Sequence, residues 1–376
     1  MNGPSRFDVM LFNSQSNTSL PFIFASYPMI VREQVPLAPL TTLGVGGPAR
    51  FFVEAHHESQ VREAVRFAQS RELPLFVLGG GSNLVVADNG FDGLVLKVSL
   101  RGSWWRAKGN DVSFCVAAGN DWDAFVAHTI EDNCAGLECL SGIPGSVGGT
   151  PVQNVGAYGQ EVSETIVEVE AFDIRSLQLK TLTNADCGFA YRSSIFNAAE
   201  RDRYIILRVS FVLRRGGKPA TRYADLQKVL AAVPGTPSLL QVRNAVREIR
   251  RRKAMLLVPG DDDAHSAGSF FKNPVVPHQQ FEALETQLRS RALSLPSYPA
   301  ADGFRKISAA WLVEHAGFVK GYARGAAGIS RRHALAIVNR GGASAAEIVA
   351  LKDEIQSRVF DEFGIQLQTE PVILGF

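Results

Sequence analysis

Residues 142–159, GIPGSVGGTPVQNVGAYG, constrain this chain more than any other stretch, because they carry six glycines and no charged side chain. Glycine lets a backbone approach a ligand closely and adopt positive φ, at an entropic cost that an ordinary connection has little reason to bear. A flat, largely uncharged ligand lying against main chain is a sufficient reason, with the amides of Gln153 and Asn154 and the ring of Tyr158 at hand. One such run is equally compatible with a surface loop. The balance shifts with a second glycine cluster upstream.

There, an apolar strand expected over 73–78 runs directly into Gly79, Gly80, Gly81, Ser82 and Asn83. Successive backbone N–H groups in such a turn form an anion-binding nest. Two familiar phosphate loops are excluded. A Walker loop needs Gly-Lys followed by Ser or Thr, which is absent. A Rossmann fingerprint needs a helix directly after the glycines, whereas Leu84, Val85 and Val86 continue as a short apolar run up to the turn at Asp88-Asn89-Gly90. Loop amides, rather than a helix N-terminus, are left to hold phosphate.

Other elements follow from periodicity. Val61, Ala64, Val65 and Ala68 recur at helical spacing. Strands are expected over 50–53, 93–98, 112–118, 166–172 and 204–213. Asn120 with Asp123 resembles a cap for a helix bearing Trp122, Phe125, Val126 and Ile130. Thr236 and Pro237 open a helix that buries Val242, Val246 and Ile249 and ends in the basic run Arg250 to Lys253. Further helices are expected over 279–291, 308–315 and 344–363. The last has Ser344 and Glu347 as a capping box and Gly364 as its stop. A closing strand carries Glu370, and no internal repeat is seen.

A length of 376 residues sets a prior of two or three packed units, and a net charge of +2 gives no reason to expect nucleic acid as a partner. No apolar run reaches bilayer-spanning length. Cys115, Cys134, Cys139 and Cys187 form neither a disulfide framework nor a C-x-x-C pair, which fits a reducing cytoplasm. The histidines, His56 and His57 included, show no metal-ligand spacing, so no metal is expected. Residues 1–28 lack periodicity and read as a flexible extension, with Met29 a candidate translation start.

With GGGSN, GIPGSVGG, QNVGAYG, YRSSIF and GSFFKNP present in that order, the chain resembles the UDP-N-acetylenolpyruvoylglucosamine reductase family from about residue 30 to its end. The resemblance implies an α/β (α+β) chain: a two-subdomain FAD-binding module of the vanillyl-alcohol-oxidase type and a substrate-binding α/β domain. Residues 29–100, with a closing strand over 365–376, would form the first subdomain, 101–250 the second, and 251–364 the substrate domain. FAD and NADPH are the implied cofactors, a UDP-linked sugar the substrate, and a cytoplasmic monomer in peptidoglycan precursor synthesis the setting.

By the same resemblance FAD is lined by Thr42, Gly44, Gly46 and Gly47 of TTLGVGG, by Leu78, Gly79, Gly80, Gly81, Ser82 and Asn83, and by Gly142, Pro144, Gly145, Gly148, Gly149, Gln153, Asn154 and Gly156. Arg192 in YRSSIF matches the arginine that binds the substrate carboxylate, and Glu370 the glutamate on the same group. Ser269 in GSFFKNP matches the proton donor. Tyr223 matches the loop tyrosine of a longer subclass, and Lys253 and Asn273 match substrate-binding positions, with Tyr158 and Tyr191 lining the site. His315 stands where the family more often has glutamine. Glu370 is followed by Pro371 and Val372 rather than Val-Arg, which removes a positive charge beside the carboxyl. Two rival readings stand beside this one: a flavoprotein oxidase on a similar module, and a nucleotide-sugar binding protein without turnover.

Overall fold

The computed structural model describes residues 28–376. The extension expected over 1–28 lies, but for Pro28, outside the described residues. The chain opens with β1 (Arg32–Pro36), β2 (Pro48–Ala55), helix α1 (Glu58–Ser70), β3 (Leu75–Leu78), β4 (Leu84–Val86) and β5 (Phe91–Val98). Strands β1, β2, β5 and β3 form a four-stranded sheet in that order, with β5 parallel to both β2 and β3. As its spacing requires, α1 buries Val61, Ala64, Val65 and Ala68 against this sheet.

Next come β6 (Ser103–Lys108), β7 (Asp111–Ala117), α2 (Trp122–Glu131), β8 (Cys134–Ala135), the short pair β9 (Gly156–Ala157) and β10 (Gln160–Glu161), then β11 (Ile166–Asp173), β12 (Gln178–Thr183) and β13 (Tyr204–Arg215). Strands β12-β11-β13-β7-β6 make an antiparallel sheet in that order, with β8 also on β13, while β9 and β10 pair with each other. Strands β6 and β12 went unread in the sequence because both are edge strands with almost every side chain in water. No face of them needs to be apolar. The cap of α2 is Asp121, whose carboxylate accepts from Ala124 N–H at 2.8 Å, and not the expected Asn120 and Asp123. Asp123 instead accepts from Gly142 N–H at 2.6 Å and from Arg243 at 2.6 Å, joining α2 to the glycine segment.

Trp122 is fully buried between Phe125 and Phe211, and its indole N–H donates to Leu140 O at 3.1 Å, just before the glycine segment. Trp122→Ala therefore removes a large core side chain and leaves a buried carbonyl without its donor. A loss of about 3–5 kcal/mol is expected, read as a fall in the urea midpoint at unchanged m-value.

The remainder contains α3 (Ala224–Leu230), α4 (Leu239–Arg252), β14 (Val275–Pro277), α5 (His278–Arg289), β15 (Ser297–Pro299), β16 (Phe304–Ile307), α6 (Ala309–His315), β17 (Ala323–Arg324), β18 (Ala327–Ile329), β19 (Ile337–Asn339), α7 (Ala345–Phe363) and β20 (Val372–Leu374). Helix α4 is opened by Ser238 paired with Gln241, two residues beyond the expected Thr236. The capping box of α7 is formed as read, and Gly364 ends it at φ 65°. Phe270, Phe271, Leu312, Ile337, Ile348, Leu351 and Ile355 make a second core. Strand β20 returns to pair in parallel with β4. Glu370 lies just before β20 rather than within it, where Thr369 bridges Phe271. All four cysteines are buried as free thiols. No helix among the described residues is long and apolar enough to cross a membrane.

Candidate active site

The two glycine regions meet. Ser82 donates to Pro144 O at 2.9 Å, and a Cβ built on Gly80 would stand 2.5 Å from Gly145 Cα. The 142–159 segment is pinned at the end of the antiparallel sheet by Trp122 N–H to Gly145 O at 3.1 Å and Gly148 N–H to Ala118 O at 2.8 Å. Between these loops and the C-terminal elements lies a cleft of about 1440 Å³. Typical small-ligand pockets run to roughly 1,000 Å³, so it has room for more than one ligand's worth of atoms.

At one end, among the described residues, the backbone N–H groups of Gly80, Gly81 and Ser82 donate to no protein acceptor. That is the nest read from the sequence, and it suits a diphosphate. Leu78 to Asn83, Pro144, Gly145, Gly148, Gly149, Gln153 and Gly156 all line the cleft. Gly80→Ala would drive the two loops apart, so the protein is expected to purify with less than about a tenth of its flavin, measured from the visible absorbance per chain.

Seven of the expected residues are not on the cleft wall. Thr42 donates to Ser266 O at 2.6 Å, and its N–H to Gly81 O at 3.0 Å, while Leu43 and Val45 sink into the second core. Gly46 and Gly47 serve close packing, since a Cβ on Gly46 would stand 2.9 Å from Val86 O and one on Gly47 would meet Asp88 O at 2.1 Å, while Gly44 takes a left-handed φ of 69°. The TTLGVGG loop is a strap behind the phosphate loop. Gly142 backs onto α4, its carbonyl accepting from Arg250 Nε at 3.0 Å. Asn154 is buried, with its amide bonded to Glu161 and to Ala190 O. His315 is exposed on α6 and stacks on Trp311 at 3.7 Å, one helical turn away, outside the cleft.

The mid-cleft is polar and tightly held. Arg192 Nε stands 3.1 Å from Glu370 Oε1, and its Nη2 donates to Gly156 O at 2.7 Å. Its backbone lies at φ 53°, a left-handed conformation that a non-glycine residue keeps only when its surroundings hold it there. Burial pushes the Glu370 carboxyl above the usual range, against the pull of Arg192 and Lys272. Lys272 thus supplies a cation beside the carboxyl despite the missing Val-Arg. The Glu370 N–H donates to Phe270 O at 2.9 Å, which sets Ser269 and Glu370 on adjoining backbone. Ser269 Oγ faces the cleft 3.1 Å from Nε2 of His333.

At the far end Tyr158 meets Tyr223 edge to face at 5.4 Å. Lys253 is the C-cap of α4, and its ammonium pairs with Asp225 at 2.9 Å, so it is both the end of a basic helix and a cleft residue. Asn273 uses its side-chain oxygen to hold Ala309 N–H at 3.0 Å, which leaves its amide NH₂ for the cleft. Tyr191 carries Lys306 over its ring at 4.6 Å.

Sequence reasoning missed Lys272, which stood inside a quoted motif, and Arg250, Lys306 and His333, which did not. His333 sits in the β18–β19 turn, whose only signal was a basic pair before an apolar run.

Comparison with known proteins agrees with this geometry. A family model for an FAD binding domain matches residues 49–178, and one for the UDP-N-acetylenolpyruvoylglucosamine reductase C-terminal domain matches 260–374. The UDP-N-acetylenolpyruvoylglucosamine reductase of Streptomyces coelicolor is 46% identical over 354 residues, covering 93% of this chain and 91% of its own length. The chain belongs to the UDP-N-acetylenolpyruvoylglucosamine reductase family. The family member from Thermobifida fusca is 47% identical, covering 91% of this chain and 98% of that protein. A solved family structure, from Thermus caldophilus, superposes with a TM-score of 0.63 at 27% identity, over 92% of this chain and all of that one. The FAD-binding and C-terminal family halves therefore face each other across the cleft.

Proposed function

We propose that the chain reduces the enolpyruvyl ether of UDP-N-acetylglucosamine to UDP-N-acetylmuramate, the sugar nucleotide used in peptidoglycan synthesis, with NADPH as reductant. The observation that carries this reading is the convergence of Arg192, Glu370 and Ser269 on one cleft beside an empty-handed amide nest. FAD, held by the nest and by 143–156, supplies hydride chemistry when bound.

The chain's own residues handle charge and protons. Hydride addition at the terminal vinyl carbon pushes electrons into the carboxylate and makes it enolate-like. Arg192, with its planar fork, binds that carboxylate, and Glu370 orients the guanidinium and adds a hydrogen bond when protonated. Ser269 then gives its hydroxyl proton to the adjacent carbon, where the C–H bond forms. A serine is a weak acid, and the strongly basic carbon makes the transfer feasible. Lys253, Asn273 and Tyr223 take the diphosphate and nucleoside end, with Tyr158 and Tyr191 as walls. Tyr223 gives the chain the covering loop of the longer subclass. Residues 29–100 with 365–376 act as the first FAD subdomain, 101–250 as the second and 251–364 as the substrate domain, in a cytoplasmic monomer.

The test is turnover with the UDP-linked ether. NADPH oxidation is expected to depend on that substrate, and the product to gain two hydrogens by mass. One cleft serving donor and substrate in turn also predicts parallel double-reciprocal plots. Oxidation by oxygen alone, at the same rate with or without the ether, would remove the reading.

A further inference from the structure

His333 has no role in the reading above, yet it touches the residue to which that reading gives the proton. Its Nε2 lies 3.1 Å from Ser269 Oγ. The contact is built into the fold. Phe270 N–H, next to Ser269, donates to Leu335 O at 2.8 Å, and Ala336 N–H donates to His333 O at 3.2 Å. The turn that carries the histidine is fixed from its other side. Ser330 Oγ and Arg331 N–H both donate to Asp263, at 3.0 and 2.9 Å, and Arg332 pairs with Asp261. Backbone and carboxylate anchors therefore hold the imidazole and the hydroxyl in register.

We propose that His333, as the neutral tautomer protonated at Nε2, donates a hydrogen bond to Ser269 Oγ, aims the hydroxyl proton into the cleft and stabilises the oxygen as that proton leaves. The inference rests on the reductase reading. If Nε2 carries the proton, Oγ accepts from the ring, and its own O–H is free to point at substrate. In the other tautomer the Ser269 proton would be spent on Nε2 and would face the wall. The ring is held neutral: burial, then Lys253, Lys320 and Arg250, lower its pKa to about 4. The neutral ring at 3.1 Å from Oγ acts on Ser269 through its N–H dipole. During turnover the Ser269 O–H bond breaks as the substrate C–H bond forms. The serine oxygen carries the charge against the Nε2–H until it takes a proton from water, and the ring keeps its own proton throughout. His333 is thus a positioning residue that acts through Ser269.

The test separates the half-reactions in the FAD-loaded protein. In His333→Ala, reduction by NADPH is expected to stay within about twofold of the parent, while reoxidation by the UDP-linked ether slows by about 10²-fold, as for loss of one such donor. His333→Gln can place an N–H at the same position and is expected to recover to within about threefold. In ¹⁵N-histidine spectra of the parent, one imidazole absent from His333→Gln is expected to be protonated at Nε2 alone. Equal slowing of both half-reactions in His333→Ala, failure of glutamine to rescue, or protonation at Nδ1 would overturn the inference. Failure of the ether to reoxidise the parent protein would instead remove the reductase reading beneath it.

Discussion

Ser269→Ala is expected to bind FAD and accept electrons from NADPH at the parent rate, and to return them to the UDP-linked ether about 10²–10⁴-fold more slowly. The split follows from geometry. Ser269 is remote in role from the amide nest at Gly80 to Ser82, and no glycine loop hydrogen-bonds to its hydroxyl. Its removal takes away one O–H and leaves Arg192 and Glu370 paired. The variant should also fold normally, since Ser269 is only partly buried and its backbone, rather than its side chain, continues into the second core. Rapid-mixing traces of flavin absorbance read the two rates separately. Slowing of the NADPH step would mean that Ser269 shapes the cleft rather than supplying a proton.

Arg192→Met is expected to lower kcat/KM for the ether by at least about 10³-fold, or about 4 kcal/mol of transition-state stabilisation. Two losses combine. The fork that meets the substrate carboxylate disappears, and Glu370 is left in a buried place without the guanidinium that opposes its desolvation. Arg192→Lys should recover little, because an ammonium cannot reach Glu370 and Gly156 O together while presenting a planar face. A pH signature accompanies this. Burial already raises the Glu370 pKa, and loss of Arg192 raises it further. A carboxyl raised in the folded state stabilises fully below its unfolded value, about 4.3, and that contribution is lost as pH rises through the folded value. The melting-temperature deficit of Arg192→Met should therefore be larger at pH 8 than at pH 4. A deficit that grows on acidification would contradict the assignment of Glu370 as the strained partner.

Much of the site was legible because its chemistry is written in local runs. The strand into Gly79–Gly81 and the 142–159 segment are legible in the residues themselves, whereas Arg192, Ser269 and Glu370 follow from the resemblance alone, and all three regions line one cleft. The TTLGVGG loop lies off the cleft wall, and its glycines have a different physical reason. A glycine needed for close approach to backbone reads the same as one needed for close approach to a ligand, and here Val86 approaches Gly46 and Asp88 approaches Gly47. The resemblance points to His315 in helix α6, while the imidazole in the cleft comes from the turn between β18 and β19. Nothing in sequence spacing connects that turn to Ser269, 64 residues earlier. Strands β6 and β12 and the short helix α3 escaped because exposed or brief elements carry little hydrophobic periodicity.

In the proposed reaction one cleft takes electrons from NADPH and delivers them to the enolpyruvyl ether. An anaerobic visible spectrum of the purified protein tests it directly, recorded as isolated, after NADPH, and again after the UDP-linked ether. Flavin bands are expected to bleach with NADPH and to return only when the ether is added, one equivalent of ether per flavin. Bands that bleach and stay bleached in the presence of the ether would contradict it.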